Sequence, residues 1–207
     1  MEVLLIDDHD LINMGVAALL AGTGRFTIMG QARTLAEAKH IVEEAARTTG
    51  QGIPSLVLLD VQLGKENGLN FIPFLKNFCQ AGRVETPPVL VCSIHEDYFL
   101  MRFALEMGAA GYVPKSRGSA ELLSAIDAVC QGKVYIPDGY GDKIVRITNV
   151  YELFTRREKE ALALLRQGKS NQQIADSMGL SKRTVGNIIS NVYIKTGISG
   201  REGLMEM

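Results

Sequence analysis

Residues 4–10 read LLIDDHD, an apolar run that stops on two adjacent carboxylates, Asp7 and Asp8. Together with Val3 the run has the composition of a buried strand, yet two like charges side by side repel, and burying both is costly unless something positive lies between them. A surface turn needs only one Asp. Runs of the same kind return at intervals as FTIMGQA (26–32), LVLL (56–59), PVLVC (88–92) and GYVP (111–114), separated by stretches of helical period. This alternation predicts an α/β doubly wound, five-stranded parallel sheet with helices on both faces. The intervening helices carry ordinary punctuation: Thr34 and Glu37 form a capping box, and Gly132 follows a last helical turn.

In an open parallel sheet, functional groups gather outside the carboxyl ends of the strands. Here the first strand ends on Asp7 and Asp8, the third on Asp60, the fourth on Ser93 and the fifth on Lys115. Three converging carboxylates need a counter-charge, and an oxygen-rich cluster of this type suits a hard, partly hydrated Mg²⁺. Lys115, following Pro114 beside the cluster, reads as a phosphate partner. A single Asp at a strand end is commonly a turn former or helix cap. Four strand ends in one chemical register outweigh that reading for the group.

The chain has 207 residues, 46% apolar and 22% charged, which suits one or two globular domains. No apolar run reaches the length of a membrane span, and the amino terminus is an acidic strand where a signal peptide would be basic, so a cytoplasmic protein without membrane contact is expected. Cys79, Cys92 and Cys130 are widely spaced in apolar surroundings and read as reduced core residues. Residues 1–137 carry 11 Lys and Arg against 15 Asp and Glu, whereas residues 151–207 carry 9 against 6. An acidic body is thus followed by a basic segment. Between them, from YIPDGYGDK to Asn149, Gly, Pro and Asp become frequent and periodicity fades. The expected organisation is a first domain over 1–131, a linker over 132–150 and a small all-α domain over 151–207.

In that last domain TRRE and SNQQ are capping boxes at Thr155 and Ser170, and Ser181 can cap a third helix. Residues 170–196, SNQQIADSMGLSKRTVGNIISNVYIKT, read as helix, glycine-containing turn, helix. Ile174, Ala175, Met178, Leu180, Val185, Ile189 and Val192 can line an interior, leaving Lys182, Arg183, Thr184, Asn187, Asn191 and Lys195 for another surface. Lys and Arg there would contact phosphates and Asn can read adenine, which makes double-stranded DNA the candidate partner. A solvated polar face on a small bundle is the plainer alternative.

LLIDDHD, LVLLDVQLGKENGL, VLVCSIHED and GAAGYVPKS resemble, in order and spacing, the motifs of two-component response regulator receivers over residues 1 to about 131. The resemblance implies a flavodoxin-like fold with Asp60 as phosphoacceptor and a sensor histidine kinase as partner. It also implies Mg²⁺ bound by Asp7, Asp8, Asp60 and the backbone carbonyl of Gln62, contacts to the phosphoryl group from Ser93 and Lys115, and Tyr112 as the aromatic switch. Gly64 stands where the family usually has proline, which removes that residue's stiffening of the loop. LFTRREKEALALLRQGKSNQQIADSMGLSKRTVGNIISNVYIKTGIS is similar to the LuxR-type output domain, and the combination to the NarL/FixJ class of transcriptional regulators. Gly186, Ile188 and Ile194 depart from the basic or histidine residues usual in the recognition helix, and the final helix, used by many relatives for dimerisation and so bearing on a homodimer, is expected to be at most a stub.

The reading that follows is a phosphorylation-activated, DNA-binding transcription regulator. Two others compete with it: a receiver whose altered output domain serves protein contacts, and an aspartate-nucleophile phosphatase or mutase. Enzymes of the second kind usually carry another Asp two residues after the nucleophile as general acid, where this chain has Gln62.

Overall fold

The computed structural model describes residues 1–49, 53–64, 66–94, 96, 98–141, 154–196 and 200–206, apart from the side chains of a few residues inside helices. The chain divides into two compact units, Met1–Asp138 and Gly139–Met207.

In the first unit β1 (Glu2–Ile6), α1 (Asp10–Gly22), β2 (Thr27–Ala32), α2 (Leu35–Thr49) and β3 (Leu56–Leu59) are followed by α3 (Phe71–Gly82), β4 (Val89–Ser93), α4 (Tyr98–Met107), β5 (Gly111–Pro114) and α5 (Gly118–Cys130). The sheet order is β2-β1-β3-β4-β5, all parallel. The predicted five-stranded doubly wound sheet is therefore the observed one.

β1, β3, β4 and β5 are apolar because both their faces are covered, whereas the edge strand β2 is largely half-buried. On one face Val3, Leu5, Leu56, Leu58, Leu90 and Val113 form a core with Leu20 of α1 and Ala125, Ile126 and Val129 of α5. The alternating residues Leu4, Ile6, Val57, Leu59 and Val91 point the other way and are equally buried. Each buried Leu or Ile contributes about 1.5–3 kcal/mol, so the sheet centre is the stable frame on which the strand ends are mounted.

Part of the segment expected as linker is tied to this frame. Tyr135 N–H donates to Ala110 O and Tyr112 N–H to Tyr135 O, each at 3.0 Å, and the Tyr135 hydroxyl donates to Glu121 Oε1 at 2.6 Å. A Cβ on Gly111 would lie 2.9 Å from both Cβ and O of Tyr135, so glycine is what lets the segment approach the β5 edge. Residues 142–153 lie outside the described residues.

The second unit contains α6 (Arg156–Arg166), α7 (Asn171–Met178), α8 (Lys182–Thr196) and α9 (Arg201–Glu206). Both expected capping boxes are present, Thr155 with Glu158 and Ser170 with Gln173. α7 ends on Gly179 at φ +64°, and Thr184 N–H donates to Ser181 Oγ at 3.1 Å to start α8. Ala161, Leu162, Leu165, Ile174, Ala175, Val185, Ile189, Val192 and Leu204 form its buried interior. Among the described residues no helix is long and apolar enough to cross a membrane.

Candidate phosphoacceptor site and nucleic-acid interface

Strand register brings the acidic residues together. Ile6 pairs with Leu59, and the ladder runs one residue further on each strand, with Asp60 N–H donating to Ile6 O at 2.8 Å and Asp7 N–H to Ala32 O at 3.0 Å. Asp7 and Asp60 therefore leave adjacent strands side by side, 6% and 5% exposed. Lys115 arrives from the end of β5 and donates through Nζ to Asp7 Oδ2 at 2.5 Å and to Asp60 Oδ2 at 2.8 Å. One cation thus bridges the carboxylates of two strands. Donor atoms of Asp7, Asp8, His9 and Asp60 all lie within 4.8 Å of one another.

Burial raises the Asp60 carboxyl above its ordinary range; Lys115 opposes this through its hydrogen bond and charge, Asp7 adds to it, and the Gln62 amide, donating to the carboxylate, opposes it. For Lys115 burial pulls the pKa down, but the hydrogen bonds and charges of Asp60 and Asp7 outweigh that and leave it raised. The ammonium stays charged at neutral pH.

Ser93 is fully buried at the end of β4 and pairs in register with Pro114, next to Lys115. Tyr112 is also fully buried, in the middle of β5. Gln62 is exposed and belongs to a short antiparallel hairpin, Gln62–Leu63 with Glu66–Asn67. Two supporting contacts come from residues to which the sequence reading gave no role. Asn13 of α1, 3% exposed, donates to Asp7 O at 2.7 Å, and His9 N–H donates to Asp7 Oδ1 at 2.9 Å, so the loop carrying the paired aspartates is held from within.

In the second unit Lys182, Arg183, Asn187 and Asn191 are exposed and Thr184 is half-buried, its hydroxyl 2.7 Å from that of Ser181. Arg183, Asn187 and Asn191 follow one another at helical spacing and form a stripe on α8. Ser190, also exposed, extends this stripe and has no sequence signal beyond its position. The side chains of Lys195 and Ile194 lie outside the described residues. Arg201 donates to Asn171 Oδ1 at 2.8 Å and to Lys169 O, fastening α9 to the start of α7.

Comparison with known proteins gives the class. The response regulator receiver domain model matches residues 3–127, and that of the bacterial regulatory proteins of the LuxR family matches residues 152–207. The chain belongs to the response regulators, as a receiver joined to a LuxR-type helix-turn-helix domain; this is a family of transcription regulators and not a class of enzymes. Among curated relatives it is 31% identical over 212 residues to the virulence-factor transcription regulator BvgA of Bordetella pertussis, covering 100% of this chain and 95% of the relative. It is 29% identical over 206 residues to the transcriptional regulatory protein MctR of Rhizobium johnstonii, covering 99% and 91%. RcsB of Salmonella enterica serovar Typhimurium, solved bound to a promoter, shares the fold with a TM-score of 0.66 at 17% identity, covering 99% of this chain and 96% of that one.

Proposed function

We propose that the protein is a phosphorylation-activated, DNA-binding transcription regulator of the cytoplasm, with domain limits at 1–131, 132–150 and 151–207. The observation that carries this reading is the Lys115 bridge to Asp7 and Asp60 at the carboxyl ends of three strands. A carboxylate oxygen of Asp60 attacks the phosphorus of a phosphohistidine on a sensor kinase; the phosphorus–nitrogen bond breaks, the imidazole leaves with its electron pair, and an acyl phosphate forms. Lys115 then exchanges its hydrogen bond to the Asp60 carboxylate for one to the phosphoryl oxygens, and the Ser93 hydroxyl donates to another.

The residues fit a divalent cation. Oδ1 of Asp8 is buried and accepts no hydrogen bond of good geometry, although His9 Nδ1 lies 2.8 Å away, and it stands beside Asp7 and Asp60. Asp7, Asp8, Asp60 and the Gln62 carbonyl would hold Mg²⁺, which when bound offsets charge on the transferring phosphoryl group. Tyr112 is the residue that shifts as Ser93 is drawn toward the new oxygens. Lys182, Arg183 and Lys195 contact DNA phosphates, while Thr184, Asn187, Ser190 and Asn191 face base edges, in a homodimer on double-stranded DNA.

The test is labelling by a small phosphodonor in the presence of Mg²⁺. Wild type should reach stoichiometric incorporation and Asp60→Asn none, because the amide keeps the shape and removes the nucleophile. Stoichiometric labelling of Asp60→Asn would overturn the assignment.

A further inference from the structure

We propose that Gly64 is a positioning residue for the cation site: its backbone N–H holds one oxygen of Asp8 and so leaves the other directed at the metal. The inference rests on reading Asp7, Asp8 and Asp60 as a cation site, and it concerns a position where this chain departs from the usual proline of its family.

The loop after Asp60 is a β-hairpin, with Gln62 opposite Asn67 and Leu63 opposite Glu66. The turn between its strands begins at Gly64, whose φ is +60°. Tight hairpin turns require this left-handed geometry, glycine adopts it freely, and proline is locked near −65°. Gly64 N–H donates to Asp8 Oδ2 at 2.9 Å. Proline has no N–H to give, so both the turn and the hydrogen bond depend on the same substitution.

The hairpin that carries this amide is tied to the fold at its second strand and at its base. Glu66 Oε2 accepts the N–H of Leu35 at 3.2 Å, which ties the second strand of the hairpin to the start of α2. Gly68 N–H donates to Val61 O at 2.7 Å, and a Cβ on Gly68 would lie 2.0 Å from Asp60 O, so the base of the hairpin packs directly on the phosphoacceptor backbone. The Asp8 side chain is 28% exposed, and apart from the Gly64 amide on Oδ2 its close polar neighbour is the mostly exposed His9, whose Nδ1 lies 2.8 Å from Oδ1, so without the amide Oδ2 is free to turn toward water. With Oδ2 held, Oδ1 is the buried oxygen among the other carboxylates. Holding a ligating carboxylate by an outer hydrogen bond fixes its orientation before the metal arrives, and losing such a partner commonly weakens metal affinity about tenfold or more.

The experiment is calorimetric titration of the full chain with magnesium chloride, comparing wild type, Gly64→Pro and Gly64→Asn. Asparagine keeps the N–H and tolerates positive φ, so it separates the amide from the residue type. Gly64→Pro should bind Mg²⁺ about tenfold more weakly and Gly64→Asn like wild type. Equal affinity of the proline variant and wild type, or equal weakening of both variants, overturns the role of the amide while leaving the cation site in place; absence of Mg²⁺ binding by wild type overturns the site itself and the proposal with it. Amide hydrogen exchange read by NMR is independent of whether the proline variant folds. The Gly64 amide should be protected in wild type and lose at least about tenfold of that protection in Asp8→Ala, in line with a hydrogen bond worth 1.4 kcal/mol or more; identical exchange in the two proteins contradicts the proposal.

Discussion

Lys115 Nζ lies 2.8 Å from Oδ2 of Asp60, so the proposed phosphoacceptor is already paired with the residue proposed to contact the phosphoryl group. The same ammonium also holds Asp7. It therefore acts as the resident counter-charge of the cluster, in competition with any divalent cation for the same negative charge. Lys115→Met should raise Mg²⁺ affinity by roughly tenfold, since like charges a few ångströms apart repel by more than 1.4 kcal/mol even at an effective dielectric constant of 20. Labelling by a phosphodonor should fall in the same variant. Calorimetry checks the first effect, and weaker Mg²⁺ binding would contradict the competition.

Asp60→Asn should stabilise the metal-free receiver at neutral pH. Burial raises the Asp60 pKa above its unfolded value, so the folded state binds protons more readily than the unfolded state. Its contribution to stability is then complete below the unfolded pKa and is lost as pH rises through the folded one. A neutral isostere avoids that loss, and the thermal midpoint should rise by a few degrees near neutral pH with the gain disappearing in acid. A lower midpoint for Asp60→Asn at neutral pH would mean that the Lys115 pairing outweighs burial.

Gly186 sits in the middle of α8 with open space around the position of a Cβ. Gly186→Ala should stabilise the protein by about 0.5–1 kcal/mol through helix propensity alone, read by urea unfolding. Gly186→Lys should in addition strengthen DNA binding and steepen its salt dependence by about one unit of slope, as expected for one added phosphate contact. An unchanged slope would place this face of α8 away from the backbone of the duplex.

Glu158 is 4% exposed and accepts the Thr155 N–H at 2.6 Å, while Thr155 accepts the Glu158 N–H at 3.3 Å. Thr155→Ala should cost about 1 kcal/mol of stability by removing this cap from α6. Urea unfolding that shows no loss would mean that the first turn of α6 is satisfied by other groups.

Much of this was legible in the residues, for identifiable reasons. A parallel sheet buries both strand faces, so VLLI, LVLL and GYVP stand out as apolar runs, and their carboxyl ends must share one edge whatever the details of packing. Capping boxes are local, which is why Thr155 with Glu158 and Ser170 with Gln173 appear where their spacing places them. Tertiary contacts had no such signature. YIPDGYGDK has the composition of a linker, and only the close approach allowed by Gly111 puts Tyr135 on the sheet edge. Asn13 is one polar residue on an amphipathic helix until its amide is seen to meet Asp7 O. Gly64 reads as the loss of a stiff proline, whereas the positive φ turns that loss into a hairpin and a hydrogen bond.

In the proposed function, phosphorylation of Asp60 controls DNA binding by α8. The most direct test takes a duplex selected by the protein from a random pool and measures its dissociation constant with and without a small phosphodonor and Mg²⁺, for wild type and Asp60→Asn. Wild type should bind about tenfold or more tightly when phosphorylated, a typical coupling between sites, and Asp60→Asn should not respond. Failure to enrich any duplex at low salt, even with the receiver phosphorylated, or equal affinity with and without the donor, would contradict the proposed function and favour a protein-contact role for the second domain.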